Sequence, residues 1–164
     1  MEAHSKVITP ELTGFIRKRF LLEWQGIHGA PHWARVRQNG LLLLQGTGAN
    51  RKVVELFAFL HDVERQHDGH DPEHGLRAAD LVNKIAGKLI DVDDYELKLL
   101  TRACQGHSEG YTKSDITVMT CWDADRLDLG RVGIKPSASK LCTDTAKDPE
   151  IIERCYQQSL ENGY

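Results

Sequence analysis

Residues 50–62 read Asn50-Arg-Lys-Val-Val-Glu-Leu-Phe-Ala-Phe-Leu-His61-Asp62. Asn50 can cap a helix, and Val53, Val54, Phe57 and Leu60 recur at the spacing of a helix face turned toward a core. That apolar face runs directly into an imidazole and a carboxylate. Burying such a pair is costly unless a cation or good hydrogen-bond partners compensate. A metal ion compensates at once. The stretch therefore predicts a core helix with a charged centre at its end.

Helical signals fill the rest of the chain. Thr9-Pro10-Glu11 supplies an N-cap, a proline at the first helical position and an acid in the first turn. Leu12, Phe15, Ile16, Phe20 and Trp24 continue that helix to Gly26. A second starts at Pro31, carries Val36 and Leu41–Leu44, and stops near Gly46-Thr-Gly48. After the Asn50 helix, Asp71-Pro72-Glu73 repeats the cap-and-proline signature for a fourth, running through Leu81, Ile85 and Leu89. A fifth follows Asp93-Asp94, with Leu97, Leu100, Ala103 and Cys104 on one side. The sixth spans about Asp115 to Leu129, and Asp148-Pro149-Glu150 opens a seventh ending near Asn162-Gly163. Residues 135–147, rich in Ser, Thr and Lys, read as a loop. No pair of strands joined by a hairpin turn and no internal repeat is visible. The fold class is all-α, a bundle of about six to seven helices in one domain over residues 1–164. Within it the part that bears the motifs described below covers about residues 27–134, and a C-terminal loop and helix cover 135–164.

A chain of 164 residues can bury roughly 68–70% of its unfolded surface, so its core needs no disulfides. Lys and Arg number 21 against 24 Asp and Glu, a formal charge of −3. That balance argues against a polybasic membrane surface or an extended nucleic-acid surface, and leaves room for a local pocket for one phosphate group. Cys104, Cys121, Cys142 and Cys155 are widely separated and form no C-x-x-C pair, which fits reduced thiols in a cytosolic core better than a zinc knuckle. The N-terminal residues lack the basic head and apolar run of a signal peptide. No apolar stretch approaches the ~20 residues of a membrane span. The expected location is cytoplasmic.

Seven of the eight histidines fall between positions 28 and 107. An isolated histidine on a helix is ordinarily a surface or satisfied core residue; the combination with His61-Asp62 changes the reading. A metal beside that pair needs ligands from other helices. His32, His74, His107 and Asp125 each lie on or just past a different predicted helix, as ligands inside a helical bundle do. Histidine and carboxylate without cysteine suits iron, manganese or zinc more than calcium.

These elements resemble, in order and context, the HD superfamily of metal-dependent phosphohydrolases, whose pattern is H…HD…D. The first element is His28-Gly-Ala-Pro-His32-Trp-Ala-Arg-Val36, where the family's ligand precedes a valine by four and so falls on His32. The signature pair is Phe59-Leu60-His61-Asp62. The last is Trp122-Asp-Ala-Asp-Arg-Leu-Asp128, where the family's A-D-x-L pattern falls on Asp125 rather than Asp123. The resemblance covers about residues 27–134 and implies an HD-domain-like helical bundle. It also implies metal ligation by His32, His61, Asp62 and Asp125. Two-metal members carry extra histidines on the intervening helices, a role that falls here on His74 and His107. His28, His67 and His70 are weaker candidates, His70 because Asp71 reads as the helix cap; His4 reads as tail.

Asp62, Glu64, Arg65 and Asp128 are the catalytic candidates. Several nucleotidase and alarmone-hydrolase members carry a glutamate three positions after the signature aspartate. Here that position is Arg65, and Glu64 lies one residue earlier, about 100° around a helix. Arg65 can hold substrate phosphate instead. Asp128 shares the helix face of Asp125 and can orient a ligand or a bound water. Asp123 is expected to pair with a neighbouring arginine. Arg35, Arg77, Arg126, Arg131 and Lys135 are candidates for phosphate contacts.

The function this implies is hydrolysis of a phosphate mono- or diester of a nucleotide or related phosphorylated small molecule. The cofactor would be one or two divalent ions, drawn from Fe, Mn, Zn, Co and Mg. One alternative is a diiron HD-type oxygenase cleaving a C–P or C–C bond. Another is a non-catalytic metal-binding sensor or interaction module.

Overall fold

The computed structural model describes residues 7–161. Among them the backbone forms eight α-helices: α1 (Pro10–Arg19), α2 (Ala30–Thr47), α3 (Arg51–Leu60), α4 (His74–Ile85), α5 (Asp94–Gly106), α6 (Ile116–Arg126), α7 (Asp144–Lys147) and α8 (Pro149–Glu161). Two 3-10 turns, Leu129–Val132 and Ala138–Lys140, follow α6. An isolated bridge between Ala86 and Ile90 is the one β feature among the described residues. No helix of these residues is long and apolar enough to cross a membrane. His4 and the expected helix end near Asn162-Gly163 lie outside the described residues.

Local sequence accounts for most helix starts. Side chains of Thr9, Asn50 and Asp115 accept from the free N–H groups of Leu12, Val53 and Thr117. At α5 the capping is reciprocal: Asp93 accepts from the Glu96 N–H at 2.7 Å, and Glu96 accepts from the Asp93 N–H at 3.1 Å.

The longest helix, α2, packs against α3 and α6, while α4 pairs with α5, which lies on α3 and α6. Trp33, Val36, Leu43, Val54, Phe57, Leu60, Val82, Leu100 and Trp122 fill the space between them. At Gly40 a Cβ would sit 2.4 Å from Cγ1 of Val54, so only glycine permits this approach of α2 to α3. Buried polar groups fix the alignment of the other pairs. Trp122 Nε1 donates to the Ala103 carbonyl at 3.0 Å, and Asn39 Nδ2 to that of Ala124 at 3.0 Å.

The structure departs from the sequence reading at several boundaries. Helix α1 stops at Arg19 because Phe20 turns extended and sends its ring against Trp33 and Trp24, with centroids 5.0 and 6.3 Å away. Trp24 thus lies beyond the helix. Asp71 does not cap α4. Its carboxylate takes Arg77 Nη2 at 2.6 and 2.7 Å and the Gln66 N–H at 2.8 Å, and the helix begins at His74. That helix ends at Ile85, short of Leu89, where the chain turns into the bridge with Ile90. Helix α6 ends at Arg126, and Leu129 opens a 3-10 turn. The expected loop at 135–147 contains α7. Asp123 anchors that segment rather than pairing with an arginine: it accepts from the N–H groups of Cys142 (2.7 Å) and Thr143 (2.8 Å) and from the Thr143 hydroxyl (2.8 Å).

Candidate metal centre

Four histidines reach one buried space from four helix ends. His61 directly follows α3, and its Nδ1 lies 3.0 and 3.1 Å from the carbonyls of Phe57 and Ala58. His107 directly follows α5, its Nδ1 2.7 Å from the Cys104 carbonyl. His74 opens α4, its Nδ1 2.5 Å from the Asp71 carbonyl. His32, in the first turn of α2, has its Nδ1 2.6 Å from Oδ2 of Asp128. Carbonyl and carboxylate oxygens only accept. Each Nδ1 therefore carries a proton, so that whenever the ring is neutral its lone pair lies on Nε2.

Those four Nε2 atoms face one another. His32 and His61 are 3.1 Å apart, and His74 and His107 are 2.8 Å apart. Asp62 sits between the pairs. Its Oδ2 lies 3.4 Å from His32 Nε2 and 3.2 Å from His61 Nε2, while Oδ1 lies 3.3 and 3.5 Å from those of His74 and His107. Asp125, in the last turn of α6, brings Oδ1 to 3.2 Å from His32 and 3.5 Å from His61. Two donor groups result, His32–His61–Asp62 and Asp62–His74–His107, each with its ligand atoms within 4.8 Å of one another. All are buried except Asp125, whose side chain keeps 14% exposure.

Lone pairs and carboxylates packed this closely repel unless positive charge stands among them. Burial disfavours charge on every member, yet the carboxylates of Asp62 and Asp125 are held well below the usual range by the surrounding imidazoles. Against its own burial, His61 is raised to about 10 by Asp62 and Asp125. His32 is raised too: its carboxylate partners outweigh burial and the Arg131 charge. His107 is lowered, with burial dominant. Protons thus stand in for the positive charge that the donor set calls for. The C-terminal ends of α3, α5 and α6 converge on the same point, and their dipoles favour a cation there. Imidazole Nε2 and carboxylate donors, with each Nδ1 tied to an acceptor, form a set that fits a divalent transition ion.

Backbone packing sets the second pair. At Gly75 a Cβ would lie 2.7 Å from the Cys104 carbonyl oxygen, the same oxygen that accepts from His107 Nδ1. The missing side chain lets α4 close on the end of α5 and brings His74 to His107.

The structure distributes the remaining candidates unevenly. Asp128 is fully buried and joins His32 to Arg35, whose Nε lies 2.7 Å from its Oδ1. It acts through His32 and faces no open space. Arg65 lies over Asp62, Nε to Oδ1 3.3 Å, and donates to the carbonyls of His67 and Gly69. Glu64 is not brought to the cluster: its carboxylate pairs with Arg19 of α1. Arg77 holds Asp71 and the Glu64 carbonyl, Arg131 holds the carbonyls of Ile27 and Asp128, and Lys135 pairs with Glu153. His28 is buried against Asp68 at 2.8 Å, 6.5 Å between ring centroids from His32, while His67 and His70 are exposed. Sequence reading overlooked the carbonyls of Phe57, Asp71 and Cys104. Their position three or four residues before each histidine was the available signal.

The fold has a counterpart among solved structures. The chain superposes on the crystal structure of a protein from an uncultured Thermotogales bacterium, described as a predicted HD superfamily hydrolase, with a TM-score of 0.69. The match covers 94% of this chain and 88% of that one, at 23% sequence identity. The two chains share one fold. No protein-family model matches the sequence, and no curated protein matches it. The three motif elements read from the sequence lie on helices that carry them to a common centre.

Proposed function

We propose that this chain is a metal-dependent phosphohydrolase acting on a phosphate ester of a small molecule, of which a nucleotide is one class. The observation that carries the reading is the convergence of four Nε2 atoms and the carboxylates of Asp62 and Asp125 in a buried space that calls for positive charge. His32, His61, Asp62 and Asp125 would hold one ion, and His74, His107 and Asp62 a second. Such ions lower the pKa of bound water and offset charge on a phosphoryl oxygen.

The chain's own groups supply the rest. The carbonyls behind His61, His74 and His107 and the carboxylate of Asp128 keep the Nδ1 protons in place, so the Nε2 atoms stay free to ligate. Asp125 leaves the one partly open edge of the centre. Arg65, beside Asp62, is suited to hold a phosphate oxygen there. The work is expected to take place in the cytoplasm.

The test is elemental analysis of freshly purified protein, then phosphate release from a panel of phosphomonoesters and phosphodiesters with Mn²⁺ or Fe²⁺ restored. His61→Ala and Asp62→Ala should lose release while far-UV circular dichroism stays unchanged. Metal-loaded protein that releases no phosphate from any ester overturns the reading. The Asp62–His74–His107 group favours a two-ion centre, which in this superfamily also accommodates the oxygenase chemistry. Iron content with substrate-dependent oxygen uptake would select that alternative.

A further inference from the structure

A cavity of about 440 Å³ adjoins the centre, sharing His107 as part of its wall. Its volume is that of a small-molecule site. Three of its lining residues are cationic, Arg126, Lys135 and Lys140, and none is acidic. Lys135 is neutralised by Glu153. Arg126 and Lys140 have no carboxylate partner among the described residues. Arg126 lies with its guanidinium 5.6 Å from the centroid of the Trp122 ring, and it hydrogen-bonds only through Nη1, which donates to the Lys140 carbonyl at 3.0 Å and toward Cys142 Sγ at 3.3 Å. Its Nη2 is buried with no hydrogen-bond partner. A buried guanidinium nitrogen without an acceptor is costly, and a ligand anion removes the cost. The remaining wall includes Leu129, Ile134, Pro136 and Leu141.

The contrast with the metal centre is sharp in charge. There, carboxylates suit a cation; one residue along the same helix, Arg126 faces a compartment with surplus positive charge and an apolar side. Arg126 follows Asp125 directly, so α6 presents a proposed ligand and an anion-binding group to adjoining spaces. A larger depression of about 530 Å³, lined by Thr9, Lys52 and residues 87–91 among others, borders none of the site residues.

We infer that this cavity holds the organic part of the substrate, and that this part is an apolar or planar group bearing a second anionic substituent, recognised by Arg126 and Lys140. The inference rests on the proposed placement of the substrate phosphate at the metal centre. It makes the preferred substrate a doubly anionic phosphoester rather than a simple one.

Binding separates this inference from the hydrolase reading. Benzylphosphonate and 4-carboxybenzylphosphonate, neither hydrolysable, would be titrated calorimetrically into Mn²⁺-loaded protein. The carboxylated compound should bind at least tenfold tighter. Lys140→Gln, at an exposed position, and Arg126→Gln should each erase most of that preference and leave benzylphosphonate binding unchanged. Equal affinities for the two compounds in the wild-type protein, or a preference that survives both substitutions, overturn the inference. Turnover is read separately on 4-carboxyphenyl and 4-carbamoylphenyl phosphate, which differ by one charge at similar size. A binding preference without turnover of either ester keeps the cavity assignment and removes the hydrolase reading; turnover without a preference does the reverse.

Discussion

Replacing Asp128 with asparagine tests how the centre is built, because one carboxylate there serves two buried cationic or polar partners. Its Oδ2 accepts from His32 Nδ1 at 2.6 Å and its Oδ1 from Arg35 Nε at 2.7 Å. Asparagine offers a single acceptor oxygen, and its amide would point N–H groups at one of those donors. Arg35 is left without a counter-charge, and its Nη2 already has no hydrogen-bond partner. Breaking one side of a buried pair costs about 3–5 kcal/mol. At roughly 2–4 °C per kcal/mol for a domain of this size, melting should fall by about 6–20 °C. The protein should remain folded at 25 °C, since domains hold about 5–15 kcal/mol in total. Losing the carboxylate behind a ligating histidine should weaken metal binding about 10–100-fold. Chelator competition with Mn²⁺ reads the affinity, and thermal circular dichroism of the metal-free protein reads the stability. The double variant Arg35→Met with Asp128→Asn separates the two effects: it removes the stranded charge and should recover most of the melting temperature, but not the affinity. If Asp128→Asn melts early yet binds Mn²⁺ as the wild type does, Asp128 does not position His32 and the reasoning fails.

Further outcomes follow from other parts of the molecule. Gly75→Ala puts a methyl group 2.7 Å from the Cys104 carbonyl. It should push α4 from α5, cost about 1–3 kcal/mol as overpacking does, and lower the number of Mn²⁺ ions bound per chain; unchanged metal stoichiometry would count against the close approach. In Glu96, hydrogen bonds from the Asp93 N–H, Asn50 and Lys52 outweigh the opposing effect of burial and hold the pKa below its ordinary value. The stability this contributes is complete above the unfolded value of about 4.3, and is lost as pH falls through the lower folded value. Glu96→Gln should therefore flatten the acid limb of the stability curve in urea titrations, and an unchanged limb would contradict the assignment. Saturating Mn²⁺ at a hundredfold over its dissociation constant should stabilise the chain by about 2.7 kcal/mol, seen as a rise in melting temperature that His61→Ala and Asp62→Ala abolish.

The helical architecture was legible because apolar spacing and capping chemistry are local properties. Asn50 and the Asp93–Glu96 box act within one turn, so their sequence signals needed no knowledge of the fold. The errors fell where distant groups intervened. Asp71 looks like a cap in sequence, but Arg77 claims its carboxylate. Phe20 leaves α1 because Trp33, thirteen residues on, offers an aromatic partner. In the centre, residue types and order located the histidines and aspartates that converge. Their ring orientation could not be read from types alone, since it depends on main-chain oxygens. The departure noted at Glu64 has a physical counterpart in its pairing with Arg19, a contact set by how α1 docks. Lys140 escaped notice because nothing in its neighbourhood marks a cavity until the fold brings its carbonyl to Arg126 at the end of α6.

Three helix C-termini and the side chains of Asp62 and Asp125 gather negative potential in a small volume, beside the anion-friendly compartment of Arg126 and Lys140. An incoming phosphate would meet repulsion at Asp62 and Asp125 and attraction next door. Under the proposed function loading would be ordered: the ion would enter before the ester, and an ester reaching the protein first would dock only by its far end, with the scissile bond out of register. Excess substrate would then slow activation of the bare protein by added metal, a lag growing with substrate concentration.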